Sequence, residues 1–194
     1  MKFVTDPLYA EHLRGVAHPE RPERVEAVAA RLRDSGVLKE EIAARDATDA
    51  EIERVHSTRY VALIEREIEA LRGVGRVRYL STGDTVVDES SLRAARRAAG
   101  GAVVAAETAL AQRTAVFALV RPPGHHAEPD RGMGFCLFNN VAIAARAALS
   151  SRAESRERVL IVDFDYHHGN GTEAVAGNGL SYVSTHAFPA YPGT

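Results

Sequence analysis

Val159-Leu160-Ile161-Val162-Asp163-Phe164-Asp165-Tyr166-His167-His168-Gly169-Asn170-Gly171-Thr172 joins a short apolar run to a segment dense in acids and imidazoles. The unbroken run 159–162 reads as a strand covered on both faces, as in a parallel sheet sandwiched by helices. Residues 115–120 form a second continuous run, and Leu180-Ser181-Tyr182-Val183-Ser184 a third, shorter one. Helical patterns lie around them. Pro22 opens one, with Val25, Val28, Ala29 and Leu32 at helical spacing and Gly36 as its stop. Thr48-Asp49-Ala50-Glu51 has the form of a capping box and starts a short helix through Val55. Leu63, Ile64, Ile68 and Leu71 mark one face of a helix over 60–71. Ser90 or Ser91 opens a long alanine-rich helix to about Ala111, with Gly100-Gly101 inside it, and Asn139 or Asn140 opens another to about Leu149. Strands alternating with helices predict an α/β domain with a mostly parallel sheet flanked by helices. Ligands of such sheets bind beyond the carboxyl ends of the strands.

Five of the eight histidines fall at those ends: His125 and His126, His167 and His168, and His186. Asp163, Asp165 and His167 are spaced i, i+2, i+4, so extended backbone would aim them the same way, about 6–7 Å apart in succession. Carboxylate oxygen and imidazole nitrogen are zinc donors, and a catalytic zinc takes three protein ligands. The competing reading makes the acids helix caps and His167 a core histidine. His125 and His126 are neighbours, so both reach one site only through irregular backbone, for which Gly124 supplies the freedom. They suit either proton transfer at neutral pH or metal ligation, and spacing alone leaves both roles open. There is no G-x-S-x-G elbow and no Walker-type phosphate loop. Cys136 lies in Gly134-Phe135-Cys136-Leu137-Phe138 and reads as a packed thiol.

Composition bounds the rest. The chain has 194 residues, 45% hydrophobic and 26% charged, with net charge −2, which offers no positive field for nucleic acid. One cysteine excludes an internal disulfide framework and suits a reducing compartment. No apolar run approaches the ~20 residues of a membrane span, and the start lacks a signal-peptide core. A single cytoplasmic domain is expected.

His18-Pro19-Glu20-Arg21-Pro22-Glu23-Arg24, the segment Arg121-Pro122-Pro123-Gly124-His125-His126-Ala127, residues 132–140 and residues 163–172 together resemble the histone deacetylase superfamily, in its bacterial, class II-like branch. That group includes acetylpolyamine amidohydrolases and acetoin-utilisation proteins. The resemblance implies the arginase/deacetylase fold and zinc-dependent removal of acetyl from an acylated amine: protein lysine, a polyamine or a small metabolite. It implies Asp165 and His167 as zinc ligands and His125 and His126 as the proton-handling pair, with His126 the general base. Asp163 would then orient His125 and Asn170 would orient His126, where many relatives carry aspartate. Gly134 and Phe135 would line a substrate tunnel and Arg24 an inner channel. Asp163, Asp165, His167, Ser184 and Thr185 match a potassium (K+) site. Asp84, in Gly83-Asp84-Thr85, reads as part of a plain turn before a helix, with a family loop acid that contacts substrate as the alternative. The third zinc ligand and an oxyanion tyrosine have no counterpart here, and Tyr182 and Tyr191 stand in the wrong context to replace the tyrosine. Residues 1–194 are therefore expected to be the N-terminal portion of one catalytic domain, C-terminally incomplete, with little turnover and a tendency to homo-oligomerise. Two alternatives stand beside this: an inactive fragment serving as a binding or oligomerisation module, and a binuclear manganese ureohydrolase. The adjacent histidines and the single Asp-x-Asp-x-His run speak against the manganese enzyme.

Overall fold

A computed structural model describes residues 1–37, 40–151 and 158–194. Strand β1 (Lys2–Thr5) is central: it pairs in parallel with β2 (Glu40–Ala43) on one side and with β5 (Val116–Ala118) on the other. A second parallel pair joins β6 (Val159–Asp163) to β7 (Leu180–Ser184), in register from Val159 opposite Leu180 to Asp163 opposite Ser184. The short hairpin of β3 (Arg78–Tyr79) and β4 (Val86–Val87) is antiparallel. The α/β, mostly parallel expectation therefore holds.

The helices form where their end signals stand. Helix α1 (Pro22–Asp34) begins on its proline, and Gly36 follows in the left-handed region at φ 65°. Helix α2 (Asp49–Ile52) closes both halves of the Thr48/Glu51 capping box but stops before Val55. Helix α3 (Thr58–Glu69) starts two residues earlier than its apolar face predicts, because Ser57 caps it through Tyr60 N–H. Helix α4 (Ser91–Gln112) packs along α5 (Asn140–Ser150), which Asn139 caps at Ala142 N–H. A short α6 (Asn170–Ala174) follows the β6 loop. The largest apolar core gathers Ile52, Tyr60, Ile64, Val103, Phe138 and Ile143 between α2–α5 and the hairpin. Among the described residues no helix is long and apolar enough to cross a membrane.

Strands β1 and β2 carry no strand signature that the sequence reading caught. Glu40-Glu41-Ile42-Ala43 holds an edge position, where charge is tolerated and the central strand supplies the pairing. The reading of 159–162 as covered on both faces needs correction. Ile161 is buried against α5, with Leu180 beside it, whereas Leu160 and Val162 on the opposite face are more than half exposed.

Candidate active site

Residues 121–138 make one long irregular loop, anchored at its root. The Arg121 guanidinium is buried, donating to Glu20 Oε1 at 2.6 Å and to the carbonyls of Tyr9 and His12 at 2.7 Å each. Gly124 has no room for a side chain: a Cβ there would lie 2.6 Å from Asn140 N. That close approach turns the backbone so that His125 and His126 face the same cleft, their rings 4.0 Å apart.

Each imidazole is held at Nδ1. His125 donates to Asp163 Oδ2 at 3.0 Å. His126 meets Asn170 Oδ1 at 2.8 Å. Their Nε2 atoms are left for a cavity of about 590 Å³, lined also by Glu20, Arg24, Asp84, Gly134, Phe135, Asp165, His167 and Tyr191. Burial, reinforced by the neighbouring charge of His125, lowers the His126 pKa to about 4, so at neutral pH the ring is an unprotonated acceptor. Burial raises the Asp163 carboxyl, but hydrogen bonds from His125, Asp165 N–H and Tyr182 outweigh it and hold the group below its ordinary value.

The expected convergence of Asp163, Asp165 and His167 on one metal is not what the structure shows. The chain bends after Asp163, and each acid accepts the amide two residues on: Asp165 N–H to Asp163 Oδ1 at 3.1 Å, and His167 N–H to Asp165 Oδ1 at 2.8 Å. Such side-chain-to-backbone turns compete with extended geometry. They aim Asp163 at His125 and leave Asp165 Oδ1 only 3.3 Å from His167 Nδ1. Among the described residues no three donors gather into a metal cluster. The donor chemistry of Asp165 and His167 fits two positions of a zinc site, and the set is incomplete on these residues. Ser184 sits opposite Asp163 in register, and Thr185 N–H donates to the Asp163 carbonyl at 3.1 Å, but the Ser184 hydroxyl is paired with His186 Nδ1.

Gly134, Phe135 and Arg24 all reach the cavity wall. Gly134 is required there: it has φ 57°, and a Cβ would lie 2.3 Å from His126 Cδ2. Phe135 meets His18 edge-on at 4.7 Å. Arg24, Glu20 and Pro123 also line an adjoining cavity of about 240 Å³ beneath the loop root.

The plain-turn reading of Asp84 is corrected: its turn leads into β4, not a helix, and its carboxylate holds Gly134 N–H at 2.8 Å on the cavity wall. Tyr191 stands edge-on to His126, with ring centres 5.0 Å apart. Burial, and a hydrogen bond to Asp84, push its phenol above the ordinary range. No spacing in the sequence announced this contact. Cys136 is fully buried, and burial pushes its thiol up to about 12, as a packed side chain requires.

The family model for the histone deacetylase domain matches residues 18–194. The chain belongs to the histone deacetylase family. It is 42% identical to histone deacetylase 15 of Arabidopsis thaliana over 91% of this chain and 32% of that protein. It is 38% identical to a probable deacetylase of Methanothermobacter thermautotrophicus, covering all of this chain and 57% of that one. The crystal structure of the HDA15 HD domain superposes with TM-score 0.87 at 38% identity, over 100% of this chain and 58% of that one. The arginase/deacetylase-like fold expected from the motifs is thereby shown. The chain spans between 24% and 61% of the length of the curated relatives it matches.

Proposed function

We propose that this histone deacetylase family chain carries part of the active site of a zinc-dependent amidohydrolase that removes acyl groups from acylated amines. One observation carries the reading: two adjacent imidazoles, each held at Nδ1 by its own partner, present Nε2 to a cavity that also holds a carboxylate–imidazole donor pair. Residues 1–194 are on this reading the amino-terminal portion of one catalytic domain, acting in the cytoplasm. The length shared with longer relatives supports that assignment.

Asp165 and His167 would hold the zinc, with a third donor outside the described residues. A bound zinc ion supplies Lewis-acid polarisation of a carbonyl and acidifies water. The protein's own groups do the rest. His126 Nε2, unprotonated at neutral pH, accepts a proton from the attacking water. His125 keeps its Nδ1 proton on Asp163, which orients the ring beside His126, and the pair can return a proton to the departing amine. Gly134, Phe135 and Tyr191 line the cavity that would admit an extended acyl-amine, and Arg24, on the same wall, would serve an inner channel. Asp163, Asp165, His167, Ser184 and Thr185 would hold a potassium ion, partly through backbone oxygens.

The test uses the full protein with acetyl-lysine peptide and acetylpolyamine substrates. Turnover is expected with about one zinc per chain, and His126→Ala is expected to lower kcat by about 100-fold or more. Normal turnover by that variant would remove His126 as base. Two manganese ions per chain would point to a ureohydrolase, and a metal-free inactive protein to a binding module.

A further inference from the structure

The Asn170 amide has two ends of nearly equal shape, an oxygen that accepts and an NH2 that donates, and His126 Nδ1 is satisfied by either one according to its own protonation. The neighbour on the far side of the amide decides between them. Glu128 Oε1 lies 2.7 Å from Asn170 Nδ2, and Met133 Sδ lies 3.4 Å from the same nitrogen. A carboxylate and a thioether are acceptors. The NH2 must therefore face Glu128 and the oxygen must face His126, so His126 carries its proton on Nδ1 and offers a bare lone pair at Nε2.

We propose that Glu128 is a positioning residue for His126, acting through Asn170: Glu128 fixes the amide, the amide fixes the tautomer, and the tautomer leaves Nε2 free as the base. This rests on the reading of His126 as proton acceptor and adds a residue to it. Where an aspartate in place of Asn170 would put the negative charge directly on the imidazole, this chain places it one hydrogen bond further out. The Glu128 backbone is tied at both ends: its N–H donates to Arg131 O at 2.9 Å, and its carbonyl accepts from His56 Nδ1 at 3.0 Å. His56 Nε2 in turn accepts Asn139 N–H at 2.9 Å. The carboxylate is thus carried on a fixed stretch of backbone in the same loop as His126.

The experiment compares Glu128→Gln, Asn170→Asp and the double variant in the full protein, by two readouts. The first is the nitrogen NMR spectrum of histidine-labelled protein at one slightly alkaline pH, which distinguishes the Nδ1–H from the Nε2–H tautomer without turnover. The parent is expected to show His126 as Nδ1–H. Glu128→Gln, whose amide both donates and accepts, is expected to give a tautomer mixture, and adding Asn170→Asp to restore Nδ1–H. The second readout is kinetic. Glu128→Gln is expected to lower kcat about tenfold at unchanged KM with Asn170 present, and to cost nothing once residue 170 is aspartate. An unchanged Nδ1–H signal in Glu128→Gln, or an equal loss in both backgrounds, overturns the proposal. If the parent shows no deacylation at all, the tautomer result alone decides the role of Glu128, and the failure then belongs to the proposed activity.

Discussion

Gly134 shows how a residue without chemistry can govern the residues that have it. Its φ of 57° is a conformation that side chains rarely adopt, and its missing Cβ is the space His126 occupies. Gly134→Ala therefore faces two penalties, backbone strain of about 1–3 kcal/mol and displacement of the imidazole. The variant is expected to lose at least that stability in urea titrations, and to lose deacylation more than tenfold as Nε2 moves off line. A variant of parental stability and activity would show that the ring moves without consequence. The family resemblance puts Gly134 on a substrate tunnel but gives no sign of this contact. The same limit applies to Glu128, Asp84 and Tyr191. Glu128 meets Asn170 and Asp84 meets Gly134 across sequence separations of 42 and 50, and Tyr191 reaches His126 and His167 from the far end of the chain. Local spacing carries no trace of such pairs. His125, His126 and Asp163 were legible because they stand directly after apolar strand runs.

At the scale of elements, helix ends were the most readable feature, because caps act within three or four residues and depend on little else. Strands were less so. Lys2-Phe3-Val4-Thr5 is only four residues long, yet β1 is the strand both β2 and β5 pair with, and Phe3 and Val4 are both buried. Two adjacent glycines inside a helix, Gly100-Gly101 in α4, mark either a weak point or a close approach, and the structure shows a close approach. A Cβ on Gly100 would lie 2.0 Å from Arg45 O and 2.5 Å from Ala47 N, on a segment that is itself tied to α4 by Ala47 N–H donating to Arg96 O at 2.9 Å. Helix propensity alone favours alanine there by about 1 kcal/mol. Backbone cannot swing aside as a flexible side chain can, so overpacking should win. Gly100→Ala is expected to destabilise the protein by about 1–3 kcal/mol in urea unfolding. A stabilised variant would mean that α4 and the 45–47 segment separate at little cost.

For the whole molecule the deciding contrast lies between its two parallel sheets. Phe3 and Val4 of β1 are covered on both faces, whereas β6–β7 is covered on one. Leu160 at 58% exposure, Val162 at 59%, Val183 at 52% and Phe164 at 86% lie together along that pair. Among the described residues β6 pairs only with β7, and β5 only with β1, so backbone donors and acceptors accompany the apolar side chains at the surface. A contiguous apolar face beside unpaired strand edge favours association, whichever polypeptide covers it. The 194-residue chain by itself is therefore expected to sediment above its monomer mass, increasingly so across a concentration series. Leu160→Lys with Val162→Lys should shift it toward monomer. The cost in monomer stability should be small, about 0.5 kcal/mol or less per substitution, because both side chains already face water. A monomeric parent chain at every concentration would show that this face tolerates solvent. Loss of folding in the lysine variant would show instead that the apolar face contributes within the monomer, against the exposure seen for these side chains.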